Sequence, residues 1–184
     1  MKRFVVSSAL LSALFLSTAP AHAQEQGQIG FVMSLPADVG LLWHVSDNIA
    51  VRPEINFSFG SSEGEIAGLA TETSRRGFSF ETSVLFYLDA VDNVRTYVSP
   101  RVGFDWSTAD DSDSVLDVSG DGIEVSVSYG AQYTPVRRFS VFGEIGLEYA
   151  RSTATVDLGP GGEVETRSSG WGPRTQVGVI LYFN

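Results

Sequence analysis

The chain of 184 residues contains no cysteine, and its only lysine is Lys2. Without cysteine no disulfide can staple the fold, so stability has to come from packing and hydrogen bonds. Basic residues are scarce: 12 Lys and Arg stand against 22 Asp and Glu, for a formal net charge of −10. A chain this acidic is a poor partner for nucleic acid, whose phosphates demand the opposite balance. Long apolar runs are scarce too. The one at residues 4–16 falls short of the ~20 residues that cross a bilayer as a helix. It follows Lys2 and Arg3 and precedes the small residues Ala21-His22-Ala23, the pattern of a secretory leader removed before Gln24. The expected organisation is a signal peptide over residues 1–23 and one domain over residues 24–184. Any membrane residence of that domain must come from strands.

What the chain has in quantity is alternation. Side chains on a strand point to opposite faces with a period of two, and eight segments follow that period: residues 28–35, 39–45, 49–60, 78–88, 95–107, 123–134, 139–150 and 170–184. In the last, Trp171, Pro173, Thr175, Val177, Val179, Leu181 and Phe183 share one face, while Arg174, Gln176, Ile180 and Tyr182 share the other. Tight turns are expected near Asp47, Asp92 and Arg137, and long polar loops at 61–76, 108–121 and 154–169. Pro36-Ala37-Asp38 reads as a tight turn on the long-loop side. Short turns at one end and long loops at the other describe an antiparallel up-and-down transmembrane β-barrel of eight strands. In such a ring, residues 28–35 must pair antiparallel with the final strand. Pro53, Pro100 and Pro173 lie inside strands without a donor to give, so bulges or broken pairs are expected there.

Charge placement distinguishes the two faces. The apolar face of the eight segments carries no Asp, Glu, Lys or Arg, whereas the other collects Arg52, Glu54, Glu81, Arg95, Arg101, Asp105, Glu124, Glu144, Glu148 and Arg174. One Arg on a lipid face near the bilayer midplane costs roughly 2–4 kcal/mol, so this segregation fits lipid outside and a charged interior. Aromatic residues on the apolar face gather near strand ends, with Trp43, Tyr133, Phe139 and Phe183 towards the short turns. Phe59, Phe78, Trp106, Tyr149 and Trp171 gather towards the long loops. Two girdles suit the two interfaces of a membrane. An eight-stranded barrel is narrow enough for side chains to fill it, and buried charges persist there only when paired. The glycines at 30, 40, 103, 130, 146 and 178 on the inner face are expected to leave room for long Arg side chains.

The eight segments, the rhythm of turns and loops, and an alternating apolar final strand with Phe183 give a chain that resembles the small outer-membrane β-barrel proteins of Gram-negative bacteria. That group includes the transmembrane domain of outer membrane protein A and the outer membrane protein X type. The resemblance is architectural and covers the chain after the leader. It implies a porin-like or plugged barrel in the cell outer membrane, monomeric, in contact with outer-membrane lipid and lipopolysaccharide and assembled by the outer-membrane barrel machinery. The implied role is non-enzymatic, in envelope integrity or surface interaction through the three loops. A narrow channel for ions or very small solutes and a soluble ligand-binding barrel of the lipocalin type are the alternatives. No catalytic residues are expected: after the leader the only His is His44, placed inward beside a short turn. No cofactor or metal site is expected either. Asp117, Ser119, Asp121 and Gly122 open like a calcium loop, but Ser128 stands where the bidentate Glu belongs.

Overall fold

The computed structural model describes residues 26–66, 69–111, 117–157 and 162–183; the expected leader lies outside them. Eight strands follow one another: β1 (Ile29–Leu35), β2 (Asp38–Ser46), β3 (Ile49–Ile66), β4 (Leu69–Val91), β5 (Val94–Asp111), β6 (Asp117–Val136), β7 (Phe139–Asp157) and β8 (Glu163–Tyr182). Each pairs antiparallel with its sequence neighbour, and β1 pairs antiparallel with β8, which closes the barrel. The closing register runs from Gly30 opposite Tyr182 to Leu35 opposite Val177. The predicted pairing of the chain's two ends is thus the seam of the ring.

The ladder also shows how far the strands lean. Starting at Val179 and stepping through Met33, Val39, Ile55, Phe80, Phe104, Ile123 and Arg151, the path returns to β8 at Ser169, ten residues from its origin. A stagger of ten over eight strands corresponds to a tilt of about 40° and a bore that side chains can fill.

Two-residue turns at Asp47-Asn48, Asp92-Asn93 and Arg137-Arg138 close one end. Asp92 takes the left-handed conformation (φ 52°), as tight hairpin turns require. At the other end the structure departs from the expected loops. Pairing continues to Ile66–Leu69, Asp110–Asp117 and Asp157–Glu163, so most of residues 61–76, 108–121 and 154–169 is strand. The physical reason is that apolar alternation reports one-sided contact with an apolar phase, not hydrogen bonding. Beyond the apolar belt the residues from Glu163 to Ser169 are exposed on both faces of β8, and the pattern vanishes while the backbone ladder persists. The stretch that begins at Asp117 belongs to β6 and is extended, not coiled as a calcium loop is.

Only the first hairpin stays short, with β1 and β2 of 7 and 9 residues beside neighbours of 18 to 23. Above Ile55 and Val177, β3 and β8 therefore have no β1–β2 hairpin between them. The Asn56 amide donates to the Ala37 carbonyl at 2.9 Å and ties that hairpin to β3.

The prolines behave differently from bulges. The β2–β3 ladder passes from Gly40–Glu54 to Trp43–Val51, and the β4–β5 ladder from Ser83–Arg101 to Phe86–Val98, each skipping pairs at Pro53 and Pro100 without changing register. Pro173 pairs with Leu147 on one side and lies beyond the last β1 pair on the other. Register shifts occur instead at His44/Ser46, Tyr87/Ala90 and Tyr133/Val136, all beside short turns.

The inner-face glycines also depart from expectation. The space beside them is taken by Glu54 at Gly40, Glu124 at Gly103, Tyr97 at Gly130 and Phe142 at Gly178, not by arginines. Gly40 and Gly146 are the tightest cases, because a Cβ would press on the Pro53 carbonyl at Gly40 and on the Val127 carbonyl and the Ser128 backbone at Gly146. Backbone on a ladder cannot yield as a flexible side chain can. Gly146→Ala should therefore lower unfolding free energy by about 1–3 kcal/mol, read as a drop in the urea midpoint of protein refolded in detergent micelles.

Candidate functional site

The inner faces of all eight strands contribute to one cluster. At its centre Arg52, fully buried, lies 2.6 Å from Glu144 and 3.1 Å from Glu54. Arg101 reaches Glu54 (3.2 Å), Glu81 (2.8 Å) and Glu144 (3.0 Å). Nearer the long hairpins Arg174 gathers Glu81 (2.6 Å), Glu148 (2.7 Å) and Glu124 (2.9 Å). Three guanidiniums thus share five carboxylates, and Glu54, Glu81 and Glu144 each bridge two arginines. The planar fork of Arg suits such multidentate bonding, where the point charge of Lys would not.

Gln176 occupies the middle of this network. Its carbonyl oxygen accepts from Arg101 (2.7 Å) and Arg52 (3.3 Å), and its amide donates to Ser34 (2.8 Å) and Glu54 (3.0 Å). On the long-hairpin side the cluster faces a cavity of about 540 Å³ lined by Asp38, Asn56, Glu81, Glu148 and Arg174.

Towards the short turns the bore changes character. Val32, Leu42, Ala50, Leu85, Tyr87, Tyr97, Phe142, Ile180 and Tyr182 form a buried apolar floor. The Tyr97 hydroxyl donates to Glu144 (2.8 Å), and the Arg52 guanidinium lies 4.8 Å from the centre of the Phe142 ring, which couples floor to network. Gln132 accepts from Tyr87 and donates to Ser140 and Tyr182, while His44, fully buried, stacks on Tyr87 with its Nε2 3.3 Å from the Tyr182 hydroxyl.

Of the ten charged residues expected inside, eight meet in the network. Arg95 stands apart near a short turn, its guanidinium 4.0 Å from the Tyr87 ring centre and bonded to the Asp47 carbonyl. Asp105 lies exposed opposite Gly122 at the long-hairpin end and joins none of these ion pairs. Ile180 and Tyr182 of this floor are expected on the inner face, but an apolar layer across the bore is not among the sequence expectations. Its signal is a set of apolar residues out of phase with the alternation: Leu42, Leu85 and Phe142 each sit between two residues of the outer face.

The named aromatics lie on the outside. Trp43, Tyr133, Phe139 and Phe183 flank the short turns; Phe59, Phe78, Trp106, Tyr149 and Trp171 stand towards the long hairpins. The second group is knit by ring contacts, Phe57–Phe78 at 5.1 Å, Phe78–Trp106 at 5.8 Å and Tyr149–Trp171 at 5.2 Å between centroids. Between the two groups, Ile145 and Leu147 are 64 and 60 % exposed, part of an apolar belt around the ring.

Among solved structures the chain is similar to a major outer membrane protein of Thermus thermophilus. The two are 13 % identical with a TM-score of 0.53, over 85 % of this chain and 98 % of that one. The fold is that of an outer-membrane barrel. The chain also aligns with Acinetobacter baumannii CarO (12 % identity, 88 and 100 % coverage, TM-score 0.45) and CarO2 (10 %, 87 and 100 %, 0.43). No protein-family model and no curated protein matches the sequence.

Removing one partner of a buried pair leaves the other charge uncompensated. Glu144→Gln, which strips a carboxylate from both Arg52 and Arg101, should cost about 3–5 kcal/mol. Glu148→Gln, at the partly open rim, should cost about 1 kcal/mol or less. Equilibrium unfolding of the two variants in micelles measures the difference.

Proposed function

We propose that the protein is a non-enzymatic integral protein of the cell outer membrane, with a lumen closed by its own side chains. It contributes to envelope integrity or surface interaction through its three long hairpins. The observation that carries this reading is the sorting of the wall: an apolar, exposed belt outside and a buried, ion-paired core inside. A soluble ligand-carrying barrel has the reverse sorting, because it turns its apolar face to its cargo. A belt of exposed apolar residues that encircles the ring far exceeds the isolated patches that water-soluble monomers carry. Lipid facing the belt, with lipopolysaccharide against its long-hairpin rim, is the environment this surface fits, and barrel assembly machinery is the route by which such a chain would reach it. The ring is complete within one chain, so a monomer suffices.

The same packing supports a closed lumen. Arg52, Tyr97, Gln132 and His44 are buried to within 1 % and lie across the bore at two levels. The excess of two carboxylates over guanidiniums in the network gives the narrow-channel alternative a definite form: any current that did pass would be carried by cations.

Two measurements test the reading. Refolded protein should migrate faster in detergent gels unboiled than boiled and should fractionate with outer membranes; a soluble barrel does neither. In planar bilayers the expected record is free of steady large conductance, and a sustained open level in the wild type would overturn the closed lumen.

A further inference from the structure

On the outer wall, above the aromatic group at the long-hairpin end, lies a groove of about 770 Å³. Its lower lining is Phe104, Trp106 and Ile123, and its upper lining includes Asp121, Arg151 and Arg167. Register places these residues on one face: Phe104 opposite Ile123, Ile123 opposite Arg151, Trp106 opposite Asp121. Arg151 is two residues beyond Tyr149 on the same face of β7, so its cation stands just outside the aromatic belt.

We propose that this groove binds the phosphate-bearing headgroup of an anionic lipid, with the acyl chains running down over Phe104 and Ile123. The proposal rests on the membrane reading above and adds to it a place and a chemistry.

Three features favour that occupant. The floor of the groove continues into the apolar belt, as an acyl chain needs and a soluble anion does not. Arg side chains extend along apolar surface while keeping the guanidinium at the polar boundary, where phosphates lie. The third is the pair of guanidiniums itself: Asp121 and Glu165 balance the formal charge of Arg151 and Arg167, so an anionic headgroup would be held by their N–H donors and not by an excess of positive charge. Arg167 already donates through Nε to Glu165, so its Nη groups and Arg151 supply the donors for the phosphate.

The test is native mass spectrometry of the refolded full chain in micelles doped with phosphatidylglycerol or phosphatidylcholine. The wild type should retain one phosphatidylglycerol and little phosphatidylcholine. Arg151→Gln with Arg167→Gln should reduce retention about tenfold or more, the worth of two arginines at an anionic interface. Arg137→Gln with Arg138→Gln, at the opposite end, should leave it unchanged. Equal retention of the two lipids, or an equal loss in both double variants, would overturn the site, as would full displacement by excess inorganic phosphate, which marks a free-anion site. Heat-modifiable migration, recorded on the same samples, separates the two ideas. Its absence in the wild type removes the membrane reading itself, whereas its presence with equal lipid retention removes only the groove.

Discussion

The structure depends on one seam. Six residue pairs between β1 and β8, from Gly30–Tyr182 to Leu35–Val177, turn an eight-stranded sheet into a ring. An open sheet would leave two long rows of unpaired amides and carbonyls, which are costly anywhere and most costly in hydrocarbon. With the seam closed, the backbone needs nothing from its surroundings, and the outer side chains are free to be apolar.

Closure at this size dictates the interior. Eight strands with a stagger of ten enclose a bore too narrow for a broad water column, so whatever faces inward must pack. Packing charged groups demands pairing, and three arginines held among five carboxylates and one amide provide it. The arrangement is strict about volume as well, since the side chains of Tyr97 and Phe142 occupy the space that Gly130 and Gly178 leave. A buried network of this kind contributes more to uniqueness than to net stability, because desolvation offsets much of the Coulomb attraction.

Strand number, order, the seam and the facing of Arg52, Glu144 or Val179 are legible in the sequence because contact with two different media imposes a period of two. Where that contrast fades, legibility fades with it. Ser61 to Arg76 reads as a loop because no apolar alternation marks it, yet pairs such as Ser61–Ser74 and Gly60–Arg75 continue the ladder. Leu42, Leu85 and Phe142 carry the opposite ambiguity: they are apolar on the inner face, where the contrast between sides is lost. The distances that join Arg52 on β3 to Glu144 on β7 depend on tilt and stagger, which no local pattern encodes. Pro53 and Pro100 show a related limit. A missing donor is evident from the residue, but whether the ladder bulges or simply skips a pair is decided by neighbouring strands that hold the register on the other side.

Gln176 has a consequence for how the ring is proofread. It is an uncharged residue on the last strand whose one amide accepts from two arginines and donates towards a serine and a glutamate on the first and third strands. Slipping β8 by a single residue would present Thr175 or Val177 at that point. Arg52 and Arg101 would each lose an acceptor, and the apolar face of the strand would turn into the bore. The amide therefore works as a key cut for one position, and the final strand fits the seam only where donors and acceptors find each other.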